Sequence, residues 1–224
     1  MTHATPAAFG AHETSRNNTG AFAADYLQQT MPNLLLGGGG YEMSATEAAN
    51  AGYTVVTDYT GLMGMDPGTE TMVSGQFGSG HLPWEYDYFM GHNSAYDTLP
   101  HLSEMTSVAI DILDNNPDGF FLMIEGGRID HAGHENRIDR NIFETKEFEN
   151  TVQTVYNWAQ GHSDTLILVT ADHETGGLTV LRNNGKGNIP DISWSTTGHT
   201  GSNIPAYAWG VNADMVSAVM DNTD

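Results

Sequence analysis

The stretch Phe120-Phe-Leu-Met-Ile-Glu125-Gly-Gly-Arg-Ile-Asp130-His131-Ala-Gly-His134 decides how this chain is read. Its five apolar residues predict the strongest buried strand of the sequence, over residues 120–124, with Glu125 at the carboxyl end. Asp130 and His134 are four apart, so a turn of helix would bring both to one face. A second apolar run, Leu166-Ile-Leu-Val169, predicts a buried strand that stops just before Thr170-Ala-Asp172-His173-Glu174. A third cluster, Thr197-Gly-His199-Thr200, lies in a loop able to close over the same place. In open α/β sheets ligands gather at the carboxyl ends of strands, where Glu125 and Asp172 both fall.

The surrounding pattern supports that sheet. Residues 21–31 favour a helix that stops at Pro32, and Asn33-Leu-Leu-Leu36 is a short buried strand running into four glycines. Ser44-Ala-Thr-Glu47 is a capping box opening a short helix closed by Gly52, and residues 53–56 form the next strand. That is a β-α-β rhythm of the parallel type. Residues 61–97, rich in Gly, Met and Tyr, read as loop with room for one strand. Residues 102–113 are amphipathic, and Ile138, Ile142, Thr145, Phe148, Val152, Val155 and Ala159 recur at helical spacing over a long helix. Residues 178–195 read as turns and short strands, 206–209 as a last strand and 215–220 as a closing helix. One α/β domain over residues 1–224 accounts for the whole pattern.

At 224 residues the chain can bury about 70–75 % of its unfolded surface. It carries 28 acidic against 7 basic residues, a formal net charge of −21, which argues against nucleic acid and anionic lipid as partners. No apolar run approaches a membrane span, and the first residues lack the basic and apolar regions of a signal peptide. There is no cysteine, so any metal must rest on imidazole and carboxylate. One Asp and two His make an open zinc site; Asp172 and His173 supply two ligands of a second; Glu125, a hard oxygen donor, suits magnesium. Each cluster alone has a plainer reading. Asp130 with His134 could be a pair on a helix surface, Asp172 a loop cap, and the Met-rich tract of residues 63–72 flexible packing.

Their joint order is more specific. The string from Met123 to His134, the Thr-Ala-Asp-His-Glu-Thr-Gly-Gly run from Thr170, and Thr-Gly-His-Thr from Thr197 resemble the alkaline phosphatase family, as does Thr2-His-Ala-Thr-Pro-Ala-Ala-Phe-Gly-Ala-His12 continuing to Ser15-Arg16. The four blocks stand in family order. The resemblance implies a three-layer α/β sandwich with a mixed central sheet, incomplete at its N-terminus. It implies that Asp130, His134 and His199 bind one zinc, that Asp172 and His173 bind a second, and that Glu125 with the Thr5 hydroxyl binds magnesium. His3 falls where the family has Asp or His near the magnesium, and His131 where it has a variable residue near the phosphate. Arg16 matches the guanidinium that holds two phosphate oxygens, a bidentate role lysine cannot copy.

The implied activity is hydrolysis of small phosphate monoesters by a serine alkoxide, with two Zn2+ and one Mg2+. Family members are commonly exported and dimeric, so a homodimer and a periplasmic or extracellular location are family expectations. The sequence departs from the family in one respect. No Asp-Ser-Ala motif for the nucleophile occurs, nor the early Asp shared between the second zinc and magnesium. The expectation is a C-terminal portion, from a fragmentary or mis-started frame, with weak or absent turnover alone and the missing N-terminal portion as a partner. Two alternatives stand beside it: a non-catalytic zinc-binding module, and a sulfatase or phosphoglycerate mutase of the same clan.

Overall fold

Three short strands, β1 (Leu34–Gly37), β2 (Thr54–Val56) and β3 (Val73–Gln76), form a parallel sheet in the order β1-β3-β2. The computed structural model describes residues 1–216 and divides into two compact units, Met1–Glu125 and Gly126–Asp224. The sheet belongs to the first. Its central strand lies inside the stretch expected to be mostly loop, and all four of its residues are buried. Val-Ser-Gly-Gln is not an apolar run; it is central because it is small. A Cβ on Gly75 would stand 2.6 Å from the Phe77 ring and 2.8 Å from Leu36. Glycine lets the two side chains close over the strand, a packing role that periodicity does not register.

The helices of this unit are α1 (Ala4–Gly10), α2 (Thr19–Gln28), α3 (Ala45–Asn50), α4 (Tyr59–Met63), α5 (Glu85–Phe89) and α6 (Leu102–Leu113). The expected capping box opens α3: the Ser44 hydroxyl accepts from Glu47 N at 3.2 Å, and Ser44 N donates to Glu47 Oε2 at 3.0 Å. Two apolar clusters form the core. One gathers Ala23, Tyr26, Leu35, Met43, Ala48 and Tyr53; the other joins Leu62, Val73 and Phe77 to Met105, Val108 and Ile112 of α6.

Residues 120–124, expected to be the strongest strand, are not among the assigned strands. An apolar run supplies β propensity, whereas a strand also needs a neighbour in register, and that is a tertiary matter. Phe121 is 77 % exposed and stacks on Phe9 with ring centroids 5.9 Å apart.

The second unit is built on α7 (Arg128–His134) and α8 (Ile138–Ala159), joined through Asn136, whose positive φ turns the chain between them. The long helix falls where periodicity placed it, and the strand β4 (Leu166–Val169) where the apolar run did. Only Ile167 of β4 is buried, Leu166 and Leu168 being exposed, because alternate side chains of a strand point to opposite faces. The remaining strands, β5 (Glu174–Thr175), β6 (Thr179–Arg182), β7 (Asp191–Ser193), β8 (His199–Thr200) and β9 (Tyr207–Gly210), form antiparallel pairs β4–β9, β5–β8 and β6–β7. The mixture of helices, parallel sheet and antiparallel pairs is the α/β class expected. A 3₁₀ turn spans Ala213–Met215; most of the expected closing helix lies outside the described residues.

Candidate metal centre

The short ladder β5–β8 assembles the site in the second unit. Thr175 pairs with His199 and Glu174 with Thr200, so the loop carrying Asp172 and His173 is held beside the loop carrying His199. Helix α7 packs on β5 and supplies Asp130 and His134 one turn apart. That approach requires Gly133, where a Cβ would stand 2.8 Å from the Thr175 carbonyl oxygen.

Three ligand atoms converge. His134 Nε2 lies 3.3 Å and His199 Nε2 3.6 Å from Asp130 Oδ1, and the two imidazole nitrogens are 3.1 Å apart. Among the described residues this is the one group of three or more such side chains whose ligand atoms all lie within 4.8 Å of one another. His134 Nδ1 faces the Thr197 carbonyl oxygen, which accepts only from a protonated nitrogen. The proton therefore belongs on Nδ1, leaving the Nε2 lone pair aimed at Asp130 and His199. A cation between the three groups satisfies a lone pair and a carboxylate that otherwise face one another. The donor set of one carboxylate and two imidazoles fits zinc, and side-chain exposures of 36 % for Asp130, 40 % for His134 and 43 % for His199 leave room for a further ligand.

The second expected pair adjoins this group. His173 Nε2 is 3.1 Å from Asp172 Oδ2, and the His173 ring stacks on that of His199 with centroids 3.5 Å apart. Two residues the sequence reading passed over tie the sets together. The Thr175 hydroxyl donates to Asp130 Oδ1 at 2.6 Å and lies 3.3 Å from His173 Nδ1. Glu174 accepts from Thr200 Oγ1 at 2.5 Å, from Gly177 N at 2.9 Å and from Leu178 N at 3.2 Å. The Thr200 hydroxyl, followed by those backbone donors, holds the Glu174 carboxyl below its usual value. The only sequence signal for either was adjacency to Asp172-His173 in the Thr170 run.

The other expected residues fall as follows. His131 is half-buried on α7, beside Asp130. His3, Thr5, Arg16 and Glu125 belong to the first unit. His3 precedes α1 and Thr5 lies in its first turn. Burial foremost, and then the Arg16 guanidinium, lower the His3 pKa. The Met1 amino group is also depressed by burial, partly offset by Glu125.

Comparison with known proteins identifies the family. The alkaline phosphatase family profile matches residues 1–190. Alkaline phosphatase 3 of Bacillus subtilis is 36 % identical over 191 residues, covering 80 % of this chain and 39 % of the relative. A cold-active alkaline phosphatase from the psychrophile Shewanella sp. superposes with a TM-score of 0.86 at 30 % identity, covering 99 % of this chain and 70 % of that one. The TAB5 alkaline phosphatase variant His 135 Glu, solved with Mg bound in its M3 site, gives a TM-score of 0.75 at 27 % identity, covering 93 % of this chain and 62 % of that one. The chain thus spans about two fifths of the Bacillus subtilis relative's length. By profile, sequence and fold, the chain belongs to the alkaline phosphatase family.

Proposed function

We propose that this chain carries metal and phosphate ligands of a phosphomonoester hydrolase. The observation that carries the reading is the convergence of Asp130, His134 and His199, with the His134 tautomer set by Thr197. Asp130, His134 and His199 would hold one zinc, Asp172 and His173 a second, and Glu125, Thr5 and His3 magnesium. When bound, zinc supplies Lewis-acid stabilisation of phosphoryl charge and lowers the pKa of its water towards neutrality. The chain's own part is to bind and orient. Arg16 would offer two parallel N–H donors to a phosphoryl group, and His131, next to Asp130 on α7, would be a phosphate contact of the second unit. Thr175 and Glu174 hold the ligand loops in place for the first zinc.

No Asp-Ser-Ala motif occurs in the 224 residues, so turnover by this chain alone is expected to be weak or absent. The single-domain organisation, homodimer and exported location remain part of the same family reading. No described helix is long and apolar enough to cross a membrane.

The test combines zinc titration with hydrolysis of a simple aryl phosphate and an aryl sulfate at alkaline pH, by the chain and by His199→Ala. Zinc binding lost in His199→Ala supports the assignment. Equal zinc affinity in both proteins overturns it, and preferential sulfate hydrolysis would move the chain to the sulfatase reading.

A further inference from the structure

The four glycines Gly37 to Gly40, the first of them the last residue of β1, stand out in the sequence, and the site in the second unit does not use them. Gly38, Gly39 and Gly40 pack against another glycine-rich loop, Gly78-Ser79-Gly80, which follows β3. β1 and β3 are parallel neighbours, with Gly37 opposite Gln76, so both loops leave the same carboxyl edge of the sheet. Their backbones touch. A Cβ on Gly39 would stand 2.6 Å from the Gly78 carbonyl oxygen, and one on Gly40 would stand 3.1 Å from that of Ser79. Only glycine allows this approach, and its result is to place Tyr41 and His81, the next residues of each loop, side by side.

The Tyr41 hydroxyl and His81 Nε2 are hydrogen-bonded at 3.2 Å. The third ring of the group is His3. It stacks on Tyr41 with centroids 5.4 Å apart at 26°, and meets His81 edge-on at 5.5 Å and 77°. The backbone is bent to make the group. Tyr41 at φ 50° and Glu42 at φ 62° both occupy the left-handed region, rare for side chains of this size. The buried Thr2 donates its hydroxyl to the Tyr41 carbonyl oxygen at 2.9 Å, tying the segment that carries His3 to the bent loop. Strain held in place by such packing marks a position the fold over-determines.

We propose that Tyr41 and His81 are positioning residues for His3, clamping its imidazole in one plane. The proposal rests on the reading of His3 as a residue of the magnesium site and adds two residues to it. One face of the ring lies on Tyr41 and one edge meets His81, which limits the directions its nitrogens can present. Residues that orient a ligand in this way affect metal affinity without touching the ion.

The experiment uses the full chain. The ring nitrogens of His3 are observed by long-range ¹⁵N NMR in the wild type, Tyr41→Phe, Tyr41→Ala and His81→Ala, and Mg2+ binding is measured in each and in His3→Ala. Both alanine variants should free the ring to rotate, moving the His3 ring signals towards those of an unrestrained side chain, and weaken Mg2+ binding about 10- to 100-fold. Tyr41→Phe keeps the stack and loses only the hydroxyl, so it should change less. Ring shifts in His81→Ala identical to the wild type overturn the clamp, and this variant carries the test even if Tyr41→Ala, in its bent loop, fails to fold. Unchanged Mg2+ affinity in His3→Ala overturns the magnesium reading instead; the ring shifts, which need no metal, decide the clamp separately.

Discussion

The Thr175 hydroxyl, 2.6 Å from Asp130 Oδ1 and 3.3 Å from His173 Nδ1, touches a member of each expected zinc set. Thr175→Val keeps the β-branched shape and removes the donor. Zinc affinity should fall about 10-fold, and Thr175→Ser should restore most of it, as read by competition with a chelating dye. Wild-type affinity in the valine variant would mean the hydroxyl only fills space. A second residue-scale effect lies at the start of α8. Arg137 grips Asp139 through Nε at 2.9 Å and a terminal nitrogen at 2.6 Å, and this bond is the first cause of the lowered Asp139 pKa. A carboxyl with a depressed folded value contributes stability above its unfolded pKa, near 3.8, and loses it as pH falls through the lower folded value. Asp139→Asn should therefore cost about 1 kcal/mol at neutral pH. In thermal melts recorded against pH, the gap between wild type and variant should close in acid. A gap constant with pH would assign the loss to something other than this ion pair.

At the scale of elements, Gly133 sets two principles against each other. Alanine is favoured over glycine inside a helix by about 1 kcal/mol. Here its Cβ would stand 2.8 Å from the Thr175 carbonyl and 3.0 Å from the Thr175 side chain. Overpacking of this kind costs about 1–3 kcal/mol, so the clash should win. Gly133→Ala is expected to lower the denaturation midpoint and weaken zinc binding together; a more stable variant would show that α7 can move off β5 freely. Elements whose neighbours are local were legible beforehand. The spacing of Ile138, Phe148 and Val155 marked α8, and Ser44 with Glu47 marked the start of α3. Elements that depend on a distant partner were not. β3 is central because Gly75 admits Phe77 and Leu36, and residues 120–124 show that five apolar residues in a row do not by themselves make a strand.

Over the whole molecule the charge balance is −21, and Asp130 and Asp172 place part of it among the imidazoles of the site. A cation bound there stabilises the folded state by mass action, by about 2.7 kcal/mol at one hundred times its Kd. Hydrogen exchange should show new protection at α7 and the β5–β8 ladder on adding zinc, reversed by chelator and absent in His199→Ala. Protection that persists in His199→Ala would place the zinc elsewhere. What the sequence by itself determined is the family, through four ordered blocks, and the choice of Asp130, His134 and His199 as candidate ligands, because residue chemistry and short spacing are written locally. What only the tertiary structure decided is how those residues are held: Thr175 on Asp130 across 45 positions, His134 on the Thr197 carbonyl across 63, and Tyr41 beside His81 across 40. Such contacts depend on which strands and loops meet. That is settled by backbone approach at glycines and by sheet register, and neither has a local signature in the chain.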